Sequence, residues 1–128
     1  MSIEKEKLYY TKDHEWLRLE GEFAYIGITD HAQSELGDII FVEFPESGDV
    51  FDLMDVFGTI EAVKTVADLF IPIRCEVVEI NDDLEDNPEK INSNPYDDGW
   101  LIKVKVSNHD DINLLLSHSE YEKMITNG

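Results

Sequence analysis

This sequence predicts a mainly β domain, sandwich or barrel-like, with short helices at its margins. Three observations predict it. Apolar and polar residues alternate with period two in many short runs, Gly, Pro, Asn and Asp punctuate those runs at close intervals, and helix-period segments are brief and preceded by capping residues.

Residues 16–19 and 23–28 alternate on either side of Glu20-Gly21 and read as a hairpin. Thr29-Asp30 caps a short helix through Leu36, and Gly37 ends it. A strand over 38–44 stops at Pro45, and Glu46-Ser47-Gly48-Asp49 is a turn. Two apolar runs, one reaching Val63 and one starting at Val66, form a second hairpin with Lys64 at its apex. Pro72 interrupts the pairing, and residues 75–80 resume it. Residues 81–95 are a polar excursion with a helical turn near Glu89. Asp98-Gly99 turns the chain into a strand over 100–106, where Lys103 and Lys105 alternate with Ile102, Val104 and Val106. Asn108 and Ser117 each precede an acidic, helix-period segment, so the end reads as two short helices.

A length of 128 residues suits one domain with a single core. No linker or low-complexity tract divides it. The net charge of −19 and pI of about 4.2 argue against nucleic acid and against anionic membrane surfaces. The same charge repels copies of the chain, predicts a monomer, and favours partners with basic docking faces. No apolar run approaches membrane-spanning length. The first seven residues, with acid and base alternating over 4–7, lack the core of a signal peptide and the pattern of a transit peptide. Cys75 is the sole cysteine, which fits a reducing cytoplasm.

Catalytic and metal-binding constellations are scarce. His14-Glu15-Trp16-Leu17-Arg18 starts like the zinc motif His-Glu-x-x-His, but Arg18 stands at the second ligand position. His31, His109 and His118 lack ligand spacing and read as surface histidines. The acidic loop around 81–88 lacks the oxygen spacing of a calcium loop, with Pro88 where glycine is wanted. No phosphate loop or nucleophile elbow occurs, so the sequence supports neither a catalytic residue nor a metal ligand. What stands out is Lys64: one base alone at the tip of an apolar hairpin, with Glu61 three residues before it and Asp68 four after. That is the setting of an attachment point.

The run 58–69 followed by Glu76-Val77-Val78-Glu79-Ile80-Asn81 resembles the H proteins of the glycine cleavage system. So do His14-Glu15-Trp16, residues 26–33, Leu36-Gly37-Asp38 and residues 94–100. These matches keep their order from about Leu8 to Met124, so the resemblance covers nearly the whole chain. It implies a biotinyl/lipoyl-type sandwich (a barrel-sandwich hybrid) forming one lipoyl-carrier domain over 1–128, with a core of about 8–124. It also implies lipoic acid in amide linkage to Lys64, with Glu61 as a recognition residue for the lipoylating enzyme. By the resemblance, a pyridoxal-phosphate decarboxylase (the P protein) is expected to load the arm with an aminomethyl group from glycine. An aminomethyltransferase (the T protein) would then unload it, and dihydrolipoamide dehydrogenase would reoxidise the arm. The chain itself is implied to be a non-catalytic carrier, and it is expected to be cytoplasmic and bacterial, or in the mitochondrial matrix if a transit peptide has been removed.

By the same resemblance, Glu15 and Asp68 are candidates for a cleft that shelters the loaded arm, set against their being plain surface acids. His14 is expected to orient local structure, and Gly58 to serve strand geometry or close backbone approach. Two positions depart from the family pattern. Ala62 replaces a common serine, a mild change. Ile71-Pro72-Ile73-Arg74-Cys75 stands where the family commonly has Ser-Pro-x-Ser-Gly, so Cys75 is expected to be an inert substitution at a tolerant turn, set against a strained residue or an exchangeable thiol. Val63 and Thr65 flank the lysine where biotin carriers place methionines, and the helical flanks exceed a minimal lipoyl domain. An H-like relay of lipoyl groups to other proteins, and an unmodified acidic binding module, remain as alternative readings.

Overall fold

The computed structural model describes residues 7–127. Residues 1–6, read above for targeting signals, and residue 128 lie outside the described part. Among the described residues nine strands form two sheets. β1 (Tyr9–Tyr10), β2 (Glu15–Glu20), β3 (Phe23–Ile28), β9 (Ile102–Val106), β8 (Cys75–Ile80) and β5 (Val50–Phe51) make the larger, in that spatial order. β4 (Ile39–Glu43), β6 (Val56–Ala62) and β7 (Val66–Phe70) make the smaller. Every pairing is antiparallel.

Local chemistry fixes the turns. In the β2–β3 hairpin Glu20 pairs with Phe23, and Gly21 takes φ +63° at the first position of the two-residue loop, where a side chain would be strained. Helix α1 (Asp30–Leu36) starts at Thr29, whose hydroxyl accepts the Ala32 N–H, and ends where Gly37 at φ +80° donates its N–H to the Gln33 carbonyl. Both ends match the sequence-based expectation.

The main core lies between the sheets. Leu17, Ile26, Val77 and Val104 from the larger sheet meet Val42, Ile60 and Leu69 from the smaller. A second cluster covers the outer side of the larger sheet. There Trp16 lies across Gly27, and Tyr10 stacks on Tyr121 of the C-terminal helix α4 (His118–Asn127) with centroids 4.7 Å apart.

Gly58 is the tightest point of the smaller sheet. A Cβ there would sit 2.2 Å from the Glu43 carbonyl oxygen, beside the bulge between Val56 and Gly58. Because the clash is with backbone, it cannot be relieved by a rotamer change. Gly58→Ala is expected to lower stability by about 3 kcal/mol, a fall of roughly 10 °C in Tm by calorimetry.

Several expectations are corrected. Residues 75–80 do not resume the pairing of the Lys64 hairpin; the buried residues Ile71, Pro72 and Ile73 carry the chain across the core into the other sheet. Cys75 is not at a turn. It opens β8 fully buried, paired with Phe51 and Val106, and without positive φ. Burial pushes its thiol up to about 12, so neither strain nor exchange applies. The native protein is expected to resist an aromatic disulfide reagent, with one thiol per chain reacting after denaturant is added. The polar excursion holds two short helices, α2 (Asp83–Asp86) and α3 (Lys90–Ser93), because Leu84 and Ile91 each anchor a turn in the core. The segment after Asn108 is a 3₁₀ helix, His109–Leu114. There the Asp111 carboxylate accepts from the Arg74 guanidinium (2.7 and 3.0 Å) and from its backbone N–H (3.0 Å).

Candidate functional site

The β6–β7 hairpin presents Lys64. β6 ends at Ala62 and β7 begins at Val66, leaving Val63, Lys64 and Thr65 as the turn. The Ala62 N–H donates to the Thr65 carbonyl (2.8 Å) and the Val63 N–H to the Asp38 carbonyl (3.0 Å), so the turn is pinned on both sides. Lys64 stands exposed between the exposed Val63 and Val66. Glu61 is also exposed, paired across the sheet with Phe41 and with Val66.

A cleft of about 180 Å³ runs along β7, the strand leaving the lysine turn. Ile28, Ala32, Leu36, Ile60 and Leu69 give it apolar walls, and Glu15, Asp68, His14 and Glu35 give it polar ones. The structure therefore brings Glu15 and Asp68 into one cleft, whereas Glu61 and Lys64 do not line it. Asp68 is an exposed acid on the rim.

Glu15 is no surface acid: it is 2 % exposed. One carboxyl oxygen accepts the Phe70 N–H at 2.7 Å and the other the Thr11 hydroxyl at 3.3 Å. Burial outweighs these bonds and, helped by the nearby Asp13, raises the carboxyl to about 8. At neutral pH burial thus favours the protonated form of Glu15.

Next to it, His14 adopts φ +65°. Its carbonyl accepts the Thr29 N–H, and its Nδ1 lies 2.8 Å from the Tyr121 hydroxyl, which also lies 2.7 Å from the Thr29 hydroxyl. Burial, then the neighbouring His31, lowers the imidazole pKa, which favours the neutral ring. These bonds tie the cleft wall to α1 and α4, which supports the orienting role expected for His14. His31 is partly exposed, its ring 4.7 Å from that of His14 and its Nε2 3.1 Å from Glu35. Sequence reasoning missed Glu35, Ala32 and Tyr121. The first two sit on the helix face turned to the cleft, a signal open to reading once α1 is placed. Tyr121 is 107 residues from His14, and nothing local announces their contact. Among the described residues, no group of three His, Cys, Asp or Glu side chains is gathered to hold a metal ion. No described helix is long and apolar enough to cross a membrane.

A family profile described as "Glycine cleavage H-protein" matches residues 8–128. The chain is 53 % identical over 116 residues to a glycine cleavage system H protein of Bacteroides fragilis, covering 91 % of this chain and 92 % of that protein. Its fold is similar to the crystal structure of a glycine cleavage system H protein from Mycobacterium marinum. The TM-score is 0.86 at 34 % identity, over 94 % of this chain and 98 % of the other. A lipoyl-type barrel-sandwich carrying the exposed lysine turn, a match along nearly its whole length and close relatives in two bacteria lead to one conclusion: the chain belongs to the glycine cleavage H-protein family.

Proposed function

We propose that Lys64 carries lipoate in amide linkage to Nζ, and that the cleft over Glu15 shelters the loaded arm between visits to partner enzymes. As a member of its family, the chain is a lipoyl carrier in glycine cleavage. The observation that carries the finer reading is the pairing of an exposed lysine on a pinned turn with a buried carboxyl in a cleft along the same strand. When attached, lipoate supplies a dithiolane that accepts the aminomethyl group and is reduced as it does so.

This chain's own residues do three things. The pinned turn holds the root of the arm in a fixed place, so each partner meets it at an effective concentration on the order of mM. Acylation removes the Lys64 charge, so the root of the arm no longer carries an ammonium. Inside the cleft the apolar walls exclude water, and Glu15, its proton passed to bulk solvent, pairs as an anion with an arriving ammonium. Asp68 adds negative charge at the rim. The partners in this reading are the P protein, the T protein, dihydrolipoamide dehydrogenase and the lipoylating enzyme, which Glu61 helps to recognise. The chain contributes no catalytic acid or base.

The test is reconstitution. Chain purified from lipoate-replete cells should carry a lipoyl mass increment on Lys64 and sustain glycine-dependent carbon dioxide exchange with the P protein. An unmodified chain would defeat the reading of Lys64. A lipoylated chain inert with the P protein would favour the relay role instead.

A further inference from the structure

Strand β4 contains a feature that its sequence conceals. Ile39-Ile40-Phe41-Val42 is a continuous apolar run, yet Ile39 and Val42 are buried at 3 % while Ile40 and Phe41 are 52 % and 50 % exposed. The cause is a bulge. Ile39 pairs with Ala62 and Phe41 with the adjacent Glu61, so Ile40 is an extra residue and two successive side chains face outward. The register then builds a grid on the outer face of the smaller sheet. Phe41, Glu61 and Val66 stand side by side on three strands, with Glu43, Thr59 and Asp68 in the next outward row. The Lys64 turn closes one end of this grid.

Single exposed apolar residues need no explanation, but a cluster does. Of the eight large apolar residues exposed among the described ones, Ile40, Phe41, Val63 and Val66 gather at this one end. Phe41 is one strand over from Glu61, and Glu61 is three residues from Lys64, so the patch lies within about 10 Å of the lysine along the sheet. Carboxylates of Glu43, Glu61 and Asp68 border it, all exposed. A second copy of the chain would bring the same acids and a net charge of −19, so it is repelled. The complementary surface is an apolar knob with a basic rim.

Which partner owns this face follows from where the chemistry happens. Acylation of Lys64 forms a bond from Nζ to the acyl carbon of an activated lipoyl donor. It breaks that carbon's bond to its leaving group and sheds an Nζ proton to the enzyme. The enzyme must therefore enclose the Nζ atom itself, and the surface within a few residues of Lys64 is pressed against it. Later partners work at the far end of the arm and can dock elsewhere. We propose that the bulged apolar patch of Ile40, Phe41 and Val66, bordered by Glu61, Glu43 and Asp68, is the docking face for the enzyme that acylates Lys64. The proposal rests on Lys64 being the acylated residue.

The test follows the initial rate of acylation by intact mass, using unmodified chain, a purified lipoate-attaching enzyme, lipoate and ATP. Phe41→Ser and Val66→Ser are compared with Leu114→Ser, a control that removes an apolar residue 65 % exposed in the 3₁₀ helix. The expected result is a fall of about tenfold in kcat/KM for Phe41→Ser, carried by KM, and a smaller fall for Val66→Ser. Leu114→Ser should match wild type. Preparations driven to full lipoylation should then exchange carbon dioxide with the P protein alike, which separates this face from later docking. Wild-type rates in both patch variants, an equal loss in Leu114→Ser, or a parallel loss of exchange would overturn the proposal while leaving Lys64 as the acylated residue. A wild-type chain that gains no mass, or gains it elsewhere, sinks the Lys64 reading and this proposal with it.

Discussion

Lys64→Arg is expected to abolish the lipoyl mass increment completely and to lower glycine-dependent exchange by at least about 10²-fold, the factor that tethering contributes. An arginine keeps the charge and bulk of the side chain, but its guanidinium stays protonated at any working pH and offers no free amine to an acyl donor. Lys64 is exposed on a turn held by backbone bonds, so its replacement removes no packing. Melting temperature should stay within the effect of about 0.5 kcal/mol typical of surface changes. Intact mass, exchange assay and calorimetry on one preparation check all three. An arginine variant that retained exchange would show the work being done from another root.

Glu15→Gln is expected to move stability and protection of the loaded arm in opposite directions. In the folded chain the carboxyl holds its proton up to about pH 8, against an ordinary 4.5. Below that ordinary value folded and unfolded chains are both protonated, and the group is neutral toward stability. As pH rises between the two values the unfolded chain releases the proton and the folded chain keeps it, so stability declines by at most about 1.4 kcal/mol per pH unit. Above about 8 both forms are ionised and the decline stops. Glutamine accepts the Phe70 N–H and never ionises, so the variant should become more stable than wild type as pH rises toward 8, measured as the difference between their denaturation curves. The same change removes the anion that pairs with the arm's ammonium, so the aminomethyl-loaded carrier should lose its adduct several-fold faster, followed by ammonia release. A variant with wild-type adduct lifetime would leave the cleft as packing alone. Stability sacrificed at a buried carboxyl is a common mark of a working site.

Much of this was legible in the residues, for identifiable reasons. The Lys64 hairpin, the β2–β3 hairpin and α1 are written in local signals: alternation, Gly21 and Gly37 where φ is positive, and Thr29 as a cap. What stayed hidden is set by contacts across the chain. The crossing of residues 71–73 between sheets looks like a break at Pro72, because proline marks where pairing stops and not where the chain goes next. Cys75 reads as a turn residue by position, but its side chain fills a core slot between β5 and β9. The bulge at Ile40 is invisible because an apolar run looks the same whether both faces are buried or two residues point out. Glu15 is the sharpest case. Between His14 and Trp16 nothing distinguishes a carboxylate in water from one enclosed by Phe70 and Thr11, and its shifted protonation is a property of that enclosure.

The two clusters of apolar residues also divide the chain's optical signals. Both of its tryptophans, Trp16 and Trp100, belong to the outer cluster covered by α4, and none lies between the sheets. Trp16 is fully buried there and donates its indole N–H to the Pro95 carbonyl at 3.0 Å. Tryptophan emission from this protein therefore reports on the outer cluster, where Trp16 meets Gly27, Pro95 and Tyr96 and Trp100 meets Tyr25. A fluorescence transition and a circular-dichroism transition on the same sample thus weight different parts of one molecule.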